Sequence, residues 1–201
     1  MARLRTFIAV DLAAGVKDRL TALQEKLGRS AAGVKWTRRE NMHLTLLFLG
    51  EVEQLEVVSI CRVVQQRARK HAPFTLETAG LGAFPNARRP KILWAGLTDG
   101  VTELRALHAD LEEGLLDLGC YRREDREYTP HLTLGRLSHE DREEDWAAVL
   151  TQYADWRGGE SPVDEVLVMA SEMRRGGPEY SVLGRGPLAG RTPKPTEEES
   201  E

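Results

Sequence analysis

The chain has 201 residues, a formal net charge of −4, and apolar and charged fractions of 41% and 30%. This length suits one medium domain or two small lobes that share a core, and the slightly acidic charge argues against a protein that grips long duplexes by neutralising their phosphates. No apolar stretch approaches the roughly 20 residues that a membrane-spanning helix needs, so we expect no membrane contact. Cys61 and Cys120 match no metal-ligand spacing, which favours buried free thiols in a reducing, cytoplasmic setting.

The first half of the chain predicts three strands that alternate with two helices. Apolar residues run together or alternate in the strands and recur at helical spacing in the helices. The predicted elements are a strand over Thr6–Leu12, a helix with Val16, Leu20, Leu23 and Leu27 on one face, a strand over Met42–Leu49, a helix with Val57, Cys61, Val64 and Ala68 on one face, and a strand over Phe74–Leu81. A turn at Pro85–Pro90 then separates this half from the next.

The second half repeats the same order of elements. They are a strand over Lys91–Leu97, a helix with Leu104, Leu107, Leu111, Leu115 and Leu118 on one face, a strand over His131–Leu137, a helix with Trp146, Val149, Leu150 and Tyr153 on one face, and a strand over Val163–Ala170. Ser138 and Asp141 are candidates to cap the fourth helix, Pro162 is expected to break it, and a last strand is predicted over Glu179–Leu183. Because order and spacing match, we predict two similar α+β lobes. Residues 1–186 form this single bilobal domain, and residues 187–201 are expected to be a disordered acidic tail.

The same tetrapeptide, His-Leu-Thr-Leu, occurs once in each half, at His43–Leu46 and His131–Leu134. Because side chains alternate along a strand, the histidine and threonine of each copy share one face and the two leucines share the other. The apolar run at 47–49 extends the first copy, so we expect that strand to be central and covered on both sides. Its histidine and threonine would then face a cleft, and pseudo-twofold packing of the lobes would bring both pairs to that cleft.

Two such pairs suit in-line displacement at phosphorus. One imidazole can accept a proton while the other donates one, and the threonine hydroxyls can donate hydrogen bonds to non-bridging oxygens. This chemistry needs no metal or cofactor, and symmetry leaves open which histidine is the acid. A zinc site from His43 and His131 is the alternative, but no Asp, Glu or Cys at a convincing spacing completes it. His71, His108 and His139 lack the threonine partner and are expected to be surface or structural residues.

The paired tetrapeptides, the second preceded by Pro130, resemble the two HxTx motifs of the two-histidine phosphoesterase superfamily. More closely, the chain resembles the bacterial and archaeal RNA 2′,3′-cyclic phosphodiesterases, historically called 2′-5′ RNA ligases. The similarity covers residues 4–184 and also includes Arg5–Leu12, Trp36, Asn41–Gly50, Gly82–Pro85, Leu93–Trp94, Arg136, Ser171 and Gly177–Tyr180.

This resemblance implies metal-free hydrolysis of RNA 2′,3′-cyclic phosphate ends to 2′-phosphomonoesters. The implied fold has two antiparallel sheets that face a central cleft, with helices on the outer faces. His43 would donate a proton to the departing 3′ oxygen, His131 would accept a proton from water, and Thr45 and Thr133 would hold the phosphate oxygens. Two other functions stay open: a 2′-5′ RNA ligase that acts on tRNA halves, and a nucleotide- or RNA-binding module without turnover.

Substrate contacts beyond the phosphate are also predicted. Arg136 is a candidate for a charge-assisted phosphate contact, and Trp36, Phe84 and Tyr180 are candidates to stack on a terminal base. Loop residues predict a basic rim for RNA: Lys35, Arg38, Arg39, Arg88, Arg89, Arg122, Arg123 and Arg126. We expect a monomer whose partners are RNA ends or short oligonucleotides.

Overall fold

The computed structural model describes residues 3–29, 33–123, 127–137 and 145–191. Within these ranges the strands are β1 Arg3–Val10, β2 Val34–Trp36, β3 Leu44–Glu53, β4 Phe74–Phe84, β5 Ile92–Asp99, β6 Leu132–Leu137, β7 Arg157–Val163, β8 Glu165–Arg174 and β9 Gly177–Pro187. The helices are α1 Ala14–Gly28, α2 Val57–Ala68, α3 Val101–Leu118 and α4 Trp146–Gln152. The predicted alternation of strands and helices is therefore confirmed in both halves.

The strands form two sheets in which every pair is antiparallel. Sheet A has the order β3-β1-β8-β9, and sheet B has the order β2-β6-β5-β4-β7. The predicted α+β fold with two antiparallel sheets is confirmed. Each tetrapeptide strand lies beside the first strand of its own half, β3 beside β1 and β6 beside β5.

The two halves exchange their third strands. The strand β8 of the second half pairs with β1 in sheet A, and the strand β4 of the first half pairs with β5 in sheet B. The series β3-β1-β8 thus matches the series β6-β5-β4. Each sheet needs strands from both halves, so the lobes are built from interleaved segments and not from the first and second halves separately.

The apolar helix faces are buried as their spacing predicts. In α1, the four predicted residues of the stripe are at most 4% exposed, and in α3 the first four of the five leucines are fully buried. The last one, Leu118, is 38% exposed. Helix α1 packs on β7, α2 packs on β8 and β9, and α3 packs on α2. Among the residues that the structure describes, no helix is long and apolar enough to cross a membrane.

Several local predictions were wrong. The strand β3 is the edge strand of sheet A and is not covered on both sides, and its Phe48 is 55% exposed. Pro162 does not end the fourth helix but lies in β7, at the edge of sheet B, where the missing N–H is tolerated. Neither β2 nor β7 was predicted. Asp145 caps α4, because its carboxylate accepts hydrogen bonds from the backbone N–H groups at 147 and 148, and the predicted cap at 138 and 141 lies outside the described residues.

The described chain continues past the predicted domain boundary at residue 186. Leu188 is 6% exposed and belongs to the hydrophobic core, and its N–H donates to the Asp164 carbonyl at 2.7 Å. The N–H of Gly190 donates to the His71 carbonyl at 2.9 Å. The chain up to Gly190 therefore contacts the folded part, and residues 192–201 of the predicted tail lie outside the described residues.

Gln24 ties α1 to the second tetrapeptide strand. Its side chain is on the buried face of α1, and the residue is 7% exposed. Its Nε2 donates to the carbonyls of Leu134 at 2.8 Å and Thr37 at 2.9 Å. A buried amide with two partners holds β6 against the helix that covers it.

We expect Gln24→Ala to lower the free energy of unfolding by about 1–3 kcal/mol, because two buried carbonyls lose a donor. Urea denaturation followed by circular dichroism measures this change. Gln66→Ala, at an exposed position of α2, is the matched control and should stay within about 0.5 kcal/mol of the wild type. Equal effects of the two substitutions would contradict the role of Gln24.

Candidate active site

Each tetrapeptide strand carries a β-bulge directly after its threonine. The pairing register shifts at the same place in both copies, so Leu46 and Leu134 are the extra residues. The flanking pairs are Ala9↔Thr45 and Ile8↔Leu47 in sheet A, and Trp94↔Thr133 and Leu93↔Gly135 in sheet B. A bulge re-aims the side chains beside it. Because of it, Leu46 and Leu47 are both buried, at 3% and 2% exposure, while Thr45 stays half-buried on the opposite face.

His43 lies just before β3, between two aromatic rings. Its imidazole stacks on Phe7, with ring centroids 4.9 Å apart and planes 27° apart. The Tyr180 ring meets it edge-on at 5.2 Å. Its Nε2 is 3.1 Å from the Thr45 hydroxyl oxygen, and a hydrogen bond with the Asn41 backbone also reaches the ring. His43 and Thr45 therefore share one face, as the alternation predicts.

Burial lowers the pKa of His43 from 6.5 to about 4. The hydrogen bond to Asn41 and the nearby Asp11 carboxylate both oppose this change, but desolvation outweighs them. The aromatic rings on either side exclude the water that would stabilise an imidazolium. The ring of His43 is consequently neutral at pH 7 when the cleft holds no anion.

His131 has the equivalent position in the second motif but different neighbouring residues. Its Nδ1 donates to the Thr129 carbonyl at 2.8 Å, two residues before it, as Asn41 is two residues before His43. Because a carbonyl can only accept, this bond places the proton on Nδ1 and leaves Nε2 free to accept one when the ring is neutral. The Phe84 ring meets the imidazole edge-on at 4.9 Å.

Three observations bring the half-sites together. The Tyr128 hydroxyl, three residues before His131, donates to the Thr45 carbonyl at 3.2 Å. The positive charges of Arg136 on β6 and Arg5 on β1 both act on the Tyr180 hydroxyl, where they oppose the rise in its pKa that burial causes. The two tetrapeptide strands are also in contact. Residues of sheet A and sheet B therefore face the same space.

The predicted aromatic residues have three different positions. Tyr180 and Phe84 contact the two histidines, as described above. Trp36 pairs with Gly135 and packs on Gly28 of α1, where a Cβ would lie 3.2 Å from its indole nitrogen. It therefore lies on the helix side of sheet B, a position that does not favour the predicted stacking of Trp36 on a base. The cause is its register: Trp36 shares a face with buried Val34.

Sequence reasoning missed two aromatic residues at the cleft. The Trp94 ring lies across Gly82, where a Cβ would come within 2.1 Å of the indole, and it approaches His131 at 6.4 Å between ring centroids. Phe48 is exposed, with its ring 6.2 Å from Phe7. Trp94 lies in a segment that resembles the family, which was the available signal, while its pairing with Thr133 comes from the fold. Phe48 was hidden in an apolar run that predicted burial.

The predicted basic rim is only partly free for RNA. Arg39 pairs with Asp18 at 2.7 Å and Arg123 with Glu112 at 3.1 Å. The Arg38 guanidinium donates to the Gly176 carbonyl at 2.6 Å and so joins the β8–β9 hairpin to the segment after β2. The side chains of Lys35, Arg88, Arg89 and Arg122 are exposed. Arg126 lies outside the described residues.

The other described histidines are not members of either motif. His71 lies 3.1 Å from the Asp110 carboxylate between α2 and α3, and His108 stacks on Tyr128. His139 lies outside the described residues. Within the described ranges, no three His, Cys, Asp or Glu side chains are grouped as a metal site would require.

Comparison with known proteins extends across both halves of the chain. A family model described as LigT-like phosphoesterase matches residues 10–94 and 97–180. The RNA 2′,3′-cyclic phosphodiesterase of Methanothermobacter thermautotrophicus is 32% identical over 179 residues, which covers 89% of this chain and 96% of that protein. The RNA 2′,3′-cyclic phosphodiesterase of Thermotoga maritima is also 32% identical, with coverage of 90% and 93%.

Solved structures share the whole fold. The protein TT0787 of Thermus thermophilus has a TM-score of 0.79 and 29% identity, and the match covers 94% of this chain and all of that chain. Escherichia coli LigT in complex with 3′-AMP has a TM-score of 0.74 and 26% identity, with coverage of 92% and 98%. The interleaved lobes, the paired tetrapeptides and these matches agree, and the chain belongs to the LigT-like phosphoesterase family.

Proposed function

We propose that this protein hydrolyses the 2′,3′-cyclic phosphate ends of RNA to 2′-phosphomonoesters without a metal ion. One observation carries the proposal: two His-x-Thr pairs lie at equivalent bulges of two sheets that are joined at the motifs by the Tyr128–Thr45 hydrogen bond. The names of its relatives support the choice of substrate. Because the charge of the protein is slightly acidic, we assign it short RNA ends as partners. We further propose that it acts as a monomer in the cytoplasm, where Cys61 and Cys120 stay free thiols.

The reaction assigns one role to each member of the two pairs. Nε2 of His131 accepts a proton from water, whose oxygen attacks phosphorus opposite the 3′ oxygen. The bond between phosphorus and the 3′ oxygen breaks, and His43 donates a proton to the 3′ oxygen. The hydroxyls of Thr45 and Thr133 donate to the non-bridging oxygens, and the Arg136 guanidinium stabilises the charge that gathers on them. The 2′-phosphate remains on the ribose.

Because the pKa of His43 is low, the bound substrate must help to protonate the histidine that serves as the acid. A proton donor must be protonated before it acts, yet this ring is neutral at pH 7 in the empty cleft because burial lowers its pKa to about 4. A cyclic phosphate brings a negative charge beside the ring, and an anion close to an imidazole favours the charged form. We therefore propose that His43 takes up its proton as the substrate binds.

Phe48 replaces Trp36 as the proposed base contact. Its ring is 55% exposed at the cleft side of β3 and continues the line of rings from His43 through Phe7. An exposed aromatic face accepts any base by stacking. Tyr180 and Phe84 are proposed to flank the substrate while they hold the two histidines in place.

The first prediction concerns the two histidines. His43→Ala and His131→Ala should each lower turnover of an RNA with a 2′,3′-cyclic phosphate end by roughly 10²–10⁴-fold, because each removes a general acid or base. The assay contains a chelator and identifies the product ester. His71→Ala, which alters the contact between α2 and α3 away from the cleft, is the control and should keep its activity. Undiminished activity in the double variant, or activity only with added zinc, would contradict the mechanism. Joining of tRNA halves faster than hydrolysis would point to a ligase instead.

The second prediction concerns the proton on His43. In a His131→Ala variant, which binds a 2′,3′-cyclic nucleotide but does not turn it over, binding at pH 7 should take up a fraction of a proton. The sign follows from the pKa, which lies below pH 7 in the free protein and is raised toward 7 beside the anion. Calorimetry in buffers of different ionisation enthalpy measures the uptake. The double variant His43→Ala/His131→Ala should take up none, and equal values for the two variants would contradict proton uptake by His43.

The third prediction concerns Phe48. Phe48→Ala should lower kcat/KM for a cyclic-phosphate RNA end by about 5–150-fold, because stacking on one base contributes about 1–3 kcal/mol. Leu55→Ala is the matched control, since Leu55 is 75% exposed but lies outside the cleft, and it should leave kcat/KM unchanged. An equal effect of both substitutions would show that Phe48 acts only through general stability.

A further inference from the structure

Tyr128 joins the two sheets at the point where both motifs meet. It lies in the segment before β6, which belongs to sheet B, while its hydroxyl donates to a backbone carbonyl of β3 in sheet A. The acceptor belongs to Thr45, and the donor lies three residues before His131. A single side chain therefore contacts the backbone of one motif and precedes the histidine of the other.

The acceptor is open to this contact because of the topology. The strand β3 lies at the edge of sheet A and pairs only with β1, so one row of its backbone groups has no partner strand. The bulge at Leu46 comes directly after Thr45, so the pairing of β3 with β1 is also irregular at this point. Half-buried carbonyls need a donor, and the Tyr128 hydroxyl supplies one to Thr45.

The phenol ring of Tyr128 is itself packed against another ring. The ring of His108, on α3, stacks on the Tyr128 ring with centroids 3.9 Å apart and planes only 8° apart. Burial raises the pKa of Tyr128 well above its ordinary value, against the opposing charge of Arg105. The hydroxyl therefore stays protonated, and remains a donor, over the whole pH range in which two histidines can work.

The segment after Tyr128 holds the second histidine. The Thr129 carbonyl, one residue on, accepts the hydrogen bond from Nδ1 of His131. Anchoring Tyr128 to sheet A thus anchors the backbone that orients His131. The same bond anchors Thr45, whose hydroxyl oxygen lies 3.1 Å from Nε2 of His43. Displacement at one phosphorus needs these two imidazoles at a fixed separation.

We infer that Tyr128 is a positioning residue that sets the relative placement of the two half-sites through its hydroxyl. It touches neither substrate nor a reacting atom and acts through Thr45 and His131. The inference rests on the proposed function only for its kinetic readout. Small misplacement of reacting groups is costly, since a shift of about 1 Å can cost roughly 10²-fold in rate.

The test is Tyr128→Phe, which keeps the ring and its stack on His108 but removes the donor. We expect kcat for the cyclic-phosphate RNA end to fall about tenfold, with KM much less affected, because the substrate still meets both threonines and Arg136. Tyr121→Phe is the matched control. Tyr121 is 8% exposed and its hydroxyl donates to the Glu112 carboxylate, so this variant also loses one phenol hydrogen bond but should keep kcat.

A second readout does not depend on turnover. In ¹H–¹⁵N spectra of the imidazole rings, Tyr128→Phe should shift the signals of both His43 and His131, and Tyr121→Phe should shift neither. Wild-type kcat in Tyr128→Phe, or the same loss in both variants, would overturn the inference. If the wild type does not hydrolyse cyclic phosphates, the proposed function fails while the spectra still decide: unchanged histidine signals in Tyr128→Phe overturn the inference, and shifts confined to that variant support it.

Discussion

Each motif strand carries one extra residue directly after its threonine, and the cleft depends on this irregularity. In a regular strand, Leu47 would share a face with Thr45, and an apolar side chain would stand beside the histidine. The bulge at Leu46 turns both leucines into the core instead. The same shift at Leu134 places Gly135 on the core side, where a Cβ would come within 2.9 Å of the Trp36 ring. Four consecutive residues can therefore present polar side chains to the cleft and apolar side chains to the core.

The exchange of third strands makes the cleft a property of the whole chain. Sheet A is incomplete without β8 of the second half, and sheet B is incomplete without β4 of the first half. Two side chains then hydrogen-bond to the backbone of the motifs. Gln24 donates to the carbonyl of the bulge residue Leu134, and Tyr128 donates to the carbonyl of Thr45. The Leu134 carbonyl also accepts from the Thr37 N–H at 2.8 Å, whereas the Thr45 carbonyl lies on the edge strand β3, so each half-site is held through a backbone carbonyl of its motif.

The two half-sites share a motif but not an environment. His43 is enclosed by Phe7 and Tyr180, and its pKa is low because its charged form is desolvated. His131 meets Phe84 only at the ring edge and is held by the Thr129 carbonyl. Pseudo-symmetric strands thus present two imidazoles whose surroundings differ, which is the condition for one to act as acid and the other as base.

Local sequence patterns predicted most of the secondary structure and the repeated motif. Helical spacing found the four α-helices that the structure describes, and the repeated tetrapeptide found two histidine–threonine pairs on equivalent strands, because periodicity and identity are properties of neighbouring residues. The same patterns failed where the answer depends on distant partners. Nothing near Phe48 reveals that β3 is an edge strand, and nothing near Trp36 reveals that its face is covered by α1.

Only the tertiary structure decided which strands share a sheet, which aromatic rings enclose each histidine, and how the two motifs are joined. These features come from contacts between residues far apart in the chain, such as Tyr128 with Thr45 and Gln24 with Leu134. Their formation depends on strand exchange and register, which no local pattern encodes. The sequence alone therefore predicted two histidines and two threonines as the reacting groups, while the fold decided their surroundings, their exposure and the neutral state of His43.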